Sequence, residues 1–266
     1  MSDMLPLGVR ARQWVFFATW RLRERLVRLI VPRRTVESRG LSFRLPCDNW
    51  ITHYRWKTYN NKEPETLDWI DGFRADDVLF DVGANIGLYT LYAALRHPAM
   101  RIVSFEPEYS NLHLLRDNVI DNRLDDQVST FSMALGRIHG VSYLHVQDLH
   151  PGSALHTVSN DALDTTRTDR PVLAREGIVQ MPLDLFCEQI DLEPSCMKID
   201  VDGGERDVLE GARRTLASES FRSLLIEMSD HEADRSSCAV LLEQAGLHRV
   251  WHDPRGATRN EIWNRP

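Results

Sequence analysis

Residues 80–89 read FDVGANIGLY, an apolar run that stops at two glycines four positions apart and resumes with helical spacing. Strand, tight turn and helix in immediate succession restrict the fold more than any other stretch of the chain. Bare backbone at Gly83 and Gly87 allows conformations closed to other residues and the approach of a molecule held over the helix N-terminus. The same alternation continues: strands at Val78–Val82, 101–106, 128–135, 196–201 and 224–228, with helices at 87–95, 111–122, 204–217 and 233–245. Residues 140–146 read as a hairpin strand, and 248–252 with 257–263 close the sheet. This pattern predicts an α/β fold with a doubly wound, mostly parallel sheet and a ligand outside the carboxyl ends of its strands. At 266 residues and 42% hydrophobic, the chain can build one large domain plus an appendage.

What the turn lacks narrows the ligand. A dinucleotide fingerprint needs glycine at positions 85 and 88, which here are Asn85 and Leu88, and no GxxxxGK[ST] occurs. A pyrophosphate is therefore disfavoured, and a nucleoside without phosphates fits better. Glu106, closing the second strand, is placed to accept hydrogen bonds from both ribose hydroxyls. Asp81, near the end of the first strand, attracts an ammonium group. A methionine-derived sulfonium nucleoside carries both features.

Three blocks, DVLFDVGANIGLYT, VSFEPEYSNLHLLRDNV and MKIDVDGGERDVLEGA, followed by LLIEM, resemble the successive motifs of FkbM-family S-adenosylmethionine-dependent methyltransferases. Asp202 stands where the block from Lys198 to Glu205 more often has glutamate. The resemblance implies a class I methyltransferase fold, Rossmann-like, with a seven-stranded sheet, and most often O-methylation. It implies a cofactor loop of Asp81, Gly83, Asn85 and Gly87, a ribose ligand in Glu106, an adenine wall of Met133, Ala134 and Leu135, and Asp200 facing the methionine part or the reactive methyl. The acceptor class it implies is a hydroxyl on a saccharide, glycolipid or secondary metabolite, with polysaccharide biosynthesis a natural setting.

Methyl transfer to an alcohol needs in-line positioning and a group to take the hydroxyl proton. Asp202 and Glu205 rank first for that task, with Asp200 beside them and Glu227 and His231 behind; against this, Glu205 also suits capping the helix at 204 and His231 a solvated position. Carboxylates at 200, 202 and 205 with Asp230 and His231 form an alternative, less favoured set for a divalent ion; no metal is expected. The competing function class is a scaffold that keeps the fold without turnover. Retention of Asp81, the glycine loop, Glu106 and the 198–205 block favours an enzyme.

Two flanking regions carry further expectations. Residues 1–34 hold eight arginines against Asp3 and Glu24, a charge of +6, which leaves −13 on the rest of a chain whose total is −7. So acidic a body argues against nucleic acid. Helical spacing from Val15 to Ile30 puts a broad apolar arc opposite Arg21, Arg25 and Arg28, with Arg23 inside the arc. Such a helix either packs on the domain or on a second subunit in a homo-oligomer, or lies through residues 10–34 on an anionic membrane face; charges interrupt it too early for a spanning helix. The expected location is cytoplasmic, with the inner membrane face as the peripheral alternative. Between residues 40 and 73 a strand (41–45), a turn (46–49) and a helix (65–70) form an aromatic-rich entry region, so the chain divides at 1–75 and 76–266. Trp50, Tyr54, Trp56 and Tyr59 are expected in the core rather than in a lid. Residues 146–177 read as a long polar loop covering the acceptor pocket, with His150, Ser153 and His156 near it and 161–170 as an excursion. The four cysteines show no ligand spacing and are expected as free thiols.

Overall fold

A computed structural model of the chain describes residues 7–161, 171–229, 231–254 and 258–266. The chain opens with α1 (Leu7–Ile30), the strands β1 (Arg33–Ser38) and β2 (Leu41–Pro46), and the helices α2 (Trp50–Lys62) and α3 (Pro64–Asp71). Next come β3 (Val78–Val82), α4 (Leu88–Arg96), β4 (Arg101–Phe105), α5 (Tyr109–Asp121) and β5 (Val128–Phe131). A short excursion follows, made of β6 (Ala134–Leu135), β7 (Gly140–Val146), β8 (Thr157–Ser159) and β9 (Ala174–Met181). The chain then completes α6 (Leu183–Ile190), β10 (Cys196–Ile199), α7 (Glu205–Glu210), α8 (Arg213–Ala217), β11 (Ser223–Glu227), α9 (Glu232–Gln244), β12 (His248–His252) and β13 (Asn260–Asn264).

Seven strands form one sheet in the order β12-β13-β11-β10-β3-β4-β5. Only β13 runs against its neighbours, because it is antiparallel to both β11 and β12. The doubly wound, mostly parallel sheet expected from the alternation is therefore present, with the seven strands that the resemblance implies. Strand order reverses at β3, which lies between β10 and β4. That switch point opens the crevice in which such sheets bind ligands.

The reason for glycine at the first turn is partly different from the one the sequence suggests. Gly83 has φ +80°, and a Cβ there would lie 1.9 Å from the backbone oxygen of Asp200. A side chain is excluded by the neighbouring strand itself, before any ligand arrives. Gly87 has φ +83°, and its Cβ would meet Leu115 at 2.4 Å, where α4 starts against α5.

Several elements depart from expectation. The strand expected over 128–135 is cut at Phe131, and Ala134–Leu135 leaves the large sheet to pair with Gln180 and Met181. The helix expected over 204–217 breaks at Gly211, a poor helix former whose carbonyl accepts from the Asp184 amide and whose Cβ would lie 2.0 Å from the Gly136 oxygen. Part of the expected loop is strand: β9 pairs with β7 over all seven residues from Gly140 to Val146. Its sequence AREGIVQM is too charged at its start to announce that. The expected 161–170 excursion lies mostly outside the described residues.

The division expected between 1–75 and 76–266 falls in the loop before β3, yet the apolar core runs across it. Val36, Phe43, Leu45, Tyr59, Leu67 and Ile70 share one cluster with Leu79, Leu91 and Ile102. A second cluster fills the other face of the sheet, from Phe80 and Val103 to Leu209, Leu242 and Trp263. Of the aromatic quartet on α2, Tyr59 lies in the core and Trp56 packs against that core while donating its indole N–H to the Thr35 carbonyl at 2.8 Å, whereas Trp50 and Tyr54 are exposed. All four cysteines are buried free thiols. Among the described residues, no helix is long and apolar enough to cross a membrane.

Gly83 and Gly40 separate backbone strain from steric exclusion, since Gly40 has φ +82° with nothing near its missing Cβ. Urea unfolding of Gly40→Ala should show only the strain, about 1–2 kcal/mol. Gly83→Ala should lose clearly more, because the Asp200 carbonyl must also move.

Candidate active site

One cavity of about 780 Å³ opens at the carboxyl ends of β3, β4, β10 and β11, within the range of about 300–1,000 Å³ usual for small-molecule sites. Gly83, Asn85, Glu106, Met133, Ala134, Leu135, Asp200, Asp202 and Glu205 all line it. Asp81 and Gly87 do not. Asp81 instead borders a smaller recess beneath, which shares Gly83, Asn85 and Asp200 with the main cavity.

Local hydrogen bonds shape the first wall. The Gly83 and Ala84 amides both donate to the Phe105 carbonyl at 3.0 Å, tying the turn to the end of β4. The next amide, that of Asn85, donates to Glu106 Oε2 at 2.8 Å, and Glu108 N donates to Oε1 at 2.9 Å. Each carboxylate oxygen of Glu106 thus keeps further acceptor capacity for a pair of hydroxyls. Burial pushes the Glu106 carboxyl up to about 8, with those two backbone donors opposing the shift.

Asn85 does two jobs. Its backbone takes the left-handed conformation at φ 52°, which asparagine tolerates better than most residues. Its side chain accepts from the Ile86 amide at 2.9 Å and donates to the Ser153 carbonyl at 2.6 Å. Asn111 donates to the same carbonyl at 3.1 Å and accepts from Gly152 N at 2.7 Å. Arg55 Nε donates to the Gly152 carbonyl at 2.6 Å, and Asn49 Nδ2 to that of Pro151 at 3.1 Å. The strap over residues 148–156 is therefore fastened across the cavity by four side chains of the body.

The histidines of the strap are spent on its own structure. His156 is buried, accepts from Gln147 N at 3.3 Å, and lies 2.9 Å from Ser153 Oγ, whose hydroxyl reaches the Asp148 carbonyl at 3.0 Å. Burial lowers its pKa, in keeping with a neutral ring. His150 is exposed and pairs with Asp148 at 2.7 Å.

Beneath the cavity lies a buried charge cluster. Lys198 donates to Asp200 Oδ2 at 2.8 Å and sits 5.3 Å from the Tyr89 ring centre. Burial would lower the Lys198 pKa, but Asp200, Asp81 and Glu63 together raise it. Burial would likewise raise Asp200, yet Lys198 outweighs it and holds that carboxyl below the usual range. Asp81 is raised by burial; Thr90 donates to its Oδ2 at 2.6 Å, while Oδ1 has no protein partner. A buried carboxylate oxygen left unpaired is costly, and it marks a place for a donor from a ligand.

The candidate proton acceptors now separate. Asp200, committed to Lys198, is a poor base at neutral pH. Glu205 Oε1 accepts from Gly203 N at 2.8 Å, a bond to the loop ahead of α7 rather than to an amide of the helix's first turn. Glu227 is raised by burial and by the charge of Asp200, and Arg259 donates to it from both Nε and Nη2. His231 is exposed at the rim. Asp202 has φ 53°, and its Oδ2 accepts from Leu155 N at 2.5 Å across the cavity. Burial, then the charge of Asp200, pushes Asp202 up to about 6. Among the described residues no three His, Cys, Asp or Glu side chains converge as a metal site, and Asp230 lies outside them.

Two cations that the sequence reading missed face the site from α2. Arg55 and Lys62 line both the cavity and the recess, with Thr58 and Tyr59 between them on the same helix face. Their seven-residue spacing, two helical turns, was the available signal. It is masked by the neighbouring aromatics, which suggested core.

Sheet order, switch-point crevice and paired acids define a class I methyltransferase. The FkbM methyltransferase domain matches residues 81–250, and the chain belongs to that family of S-adenosylmethionine-dependent enzymes. The 31-O-demethyl-FK506 methyltransferase FkbM of Streptomyces tacrolimicus is 30% identical over 194 residues, covering 65% of this chain and 74% of that protein. The hexuronic acid methyltransferase AglP of Haloferax volcanii is 23% identical over 239 residues, 90% of this chain and 88% of that one. Among solved structures, methyltransferase FkbM from Methylobacillus flagellatus KT superposes with a TM-score of 0.52 at 16% identity, over 82% of this chain and 55% of that chain.

The residues present suit this cofactor. Glu106 has two oxygens with spare acceptor capacity for a ribose diol, and Asp81 has one unpaired buried oxygen beside the recess that adjoins the cavity. Arg55 faces the cavity as a cation for a carboxylate at the amino-acid end, whereas Lys62 beside it is paired with Glu63 at 2.5 Å. Isothermal calorimetry with S-adenosylhomocysteine should show affinity rising between pH 6.5 and 8.5, since the hydroxyls donate best to an ionised Glu106 whose pKa is about 8. One titrating group limits the slope to about tenfold per pH unit, and Glu106→Gln should flatten it. Arg55→Met should weaken S-adenosylhomocysteine by about tenfold or more, yet leave methylthioadenosine, which lacks the carboxylate, unchanged.

Proposed function

We propose that this methyltransferase transfers the methyl group to a hydroxyl oxygen of a saccharide, glycolipid or secondary metabolite, with Asp202 as general base. The observation that carries the reading is the state of Asp202. Its backbone is held in a left-handed conformation, one oxygen is fixed by the Leu155 amide, and Oδ1 has no protein partner among the described residues. Strained backbone of this kind persists where the surroundings enforce it, often at working sites. A carboxyl near pH 6 is ionised at neutral pH yet basic enough to accept a proton as attack proceeds.

Bound S-adenosylmethionine supplies an electrophilic methyl group on a sulfonium. The chain supplies position: Glu106 and Asp81 orient the donor from one side, and the strap over 148–156 excludes water from above. Leu155, itself at φ 68°, couples strap closure to the orientation of Asp202. Asp200 and Lys198 fix the charge of the floor, so a proton released by the acceptor is directed to Asp202 rather than to its neighbour. Relatives support an oxygen acceptor, since one is named for a 31-O-demethyl substrate and another for a hexuronic acid.

Screening sugars, lipid-linked glycans and hydroxylated metabolites with labelled donor tests the acceptor class; labelled nitrogen or carbon products alone would refute it. With an acceptor in hand, kcat/KM should fall as pH drops through about 6, where Asp202 takes up its proton. Asp202→Asn keeps an oxygen for the Leu155 amide but removes the base. It should lower kcat by about 10²–10⁴, abolish that acidic limb, and leave donor affinity intact.

A further inference from the structure

We infer that α1 is an interfacial helix that docks the protein on an anionic lipid bilayer face. Every other helix contributes to an apolar cluster, whereas among the described residues none of α1 belongs to one. Among the described residues its side-chain contacts are internal: Thr19 to the Phe16 carbonyl, Phe16 against Phe17 and Trp20, and Arg23 over Trp20. Trp14, Phe16, Phe17, Trp20, Leu22 and Leu26 are all exposed, the first by 73%. A helix carrying that much apolar surface in the open has an occupant.

Charge identifies the occupant. Residues 1–34 carry +6, all from arginine on the basic side, against −13 on the rest. An anionic bilayer attracts this segment while repelling the body, so the helix and not the domain meets the headgroups. A second copy fits less well. Pairing α1 with α1 brings two segments of +6 together, and helical spacing puts Arg12 and Arg23 inside the apolar arc, where a packed seam would bury them. At a bilayer the same arginines reach up to the phosphates while their stems and the tryptophans stay at headgroup depth. Arg23, 5.4 Å from the Trp20 ring centre, already lies in that manner. The helix is also too interrupted by charge to enter the bilayer as a span.

Docking places the site usefully. The chain leaves α1 through Pro32, whose carbonyl accepts from Cys47 N at 2.7 Å. Two residues on, Asn49 holds the Pro151 carbonyl of the strap. The root of the docking helix thus adjoins the cover of the cavity. Docking does not depend on the acceptor chemistry proposed above, and methyl transfer to a water-soluble acceptor can be assayed without vesicles.

Co-sedimentation of the full chain with phosphatidylcholine vesicles, with and without phosphatidylglycerol, tests the inference. The protein should pellet with the mixed vesicles only, release at high salt, and show blue-shifted tryptophan emission when bound. Phe16→Glu with Trp20→Glu, and separately Arg12→Gln with Arg21→Gln and Arg23→Gln, should each lower binding about tenfold or more. Melting temperature should not change, because α1 adds nothing to the core. Undiminished pelleting of the Phe16/Trp20 variant would overturn the inference, as would a wild-type chain that ignores anionic vesicles. If that chain instead sediments as a dimer which the same double variant dissociates, the face belongs to a second copy.

Discussion

The approach of β3 to β10 at the sheet's centre organises this protein. The last turn of β3 lies so close to Asp200 that position 83 admits no side chain, and the Asp200 amide donates to the Val82 carbonyl at 3.0 Å. Two loops that are far apart in sequence therefore leave the sheet side by side. One brings Asn85 and, through its amide, the Glu106 carboxylate; the other brings Asp200 and Asp202. A crevice between them is unavoidable, because the strands on either side continue in opposite directions of chain order.

Crowding these acids around that crevice requires compensation. Lys198 supplies most of it from below, holding Asp200 ionised and lying near Asp81. Arg259 answers Glu227 at the rim, and backbone amides answer Glu106, Asp202 and Glu205. The result is a gradient of proton affinity within one cavity. Asp200 is kept low, Asp202 sits near 6 and Glu106 near 8. Carboxyls of one chemical type thereby hold their protons differently, according to burial and the charge each one faces.

The small sheet gives the cavity its fourth side. Its strap is bound to α2, α5 and the first glycine turn by neutral hydrogen bonds and one arginine, with no apolar cluster of comparable size beneath. Such fastening is specific in geometry yet modest in energy, since each exposed or half-exposed bond nets about 1 kcal/mol. A cover of this kind can hold the Leu155 amide against Asp202 and still yield to a substrate. Among the described residues, those of α1 take no part in these contacts.

Much of the fold could be read directly from residue order. Apolar runs alternating with helical spacing, and glycines at 83 and 87, are local signals, and they specify β3 through α5 and β10 through β13 within a few residues. Glu106 and Asp202 were legible for the same reason, because a strand's end can be located from its own sequence. Residues acting across the chain were not. Arg55 and Lys62 reach the cavity because the apolar core of α2 and α3 joins that of the sheet, one cluster spanning the expected boundary near residue 76. The clamp of Asn85 on Ser153 joins positions 68 residues apart, and the difference in proton affinity between Asp200 and Asp202 depends on Lys198 being buried beneath one of them. Periodicity and turn chemistry are properties of neighbours along the chain, whereas burial, charge pairing and cavity walls exist only once distant segments have packed.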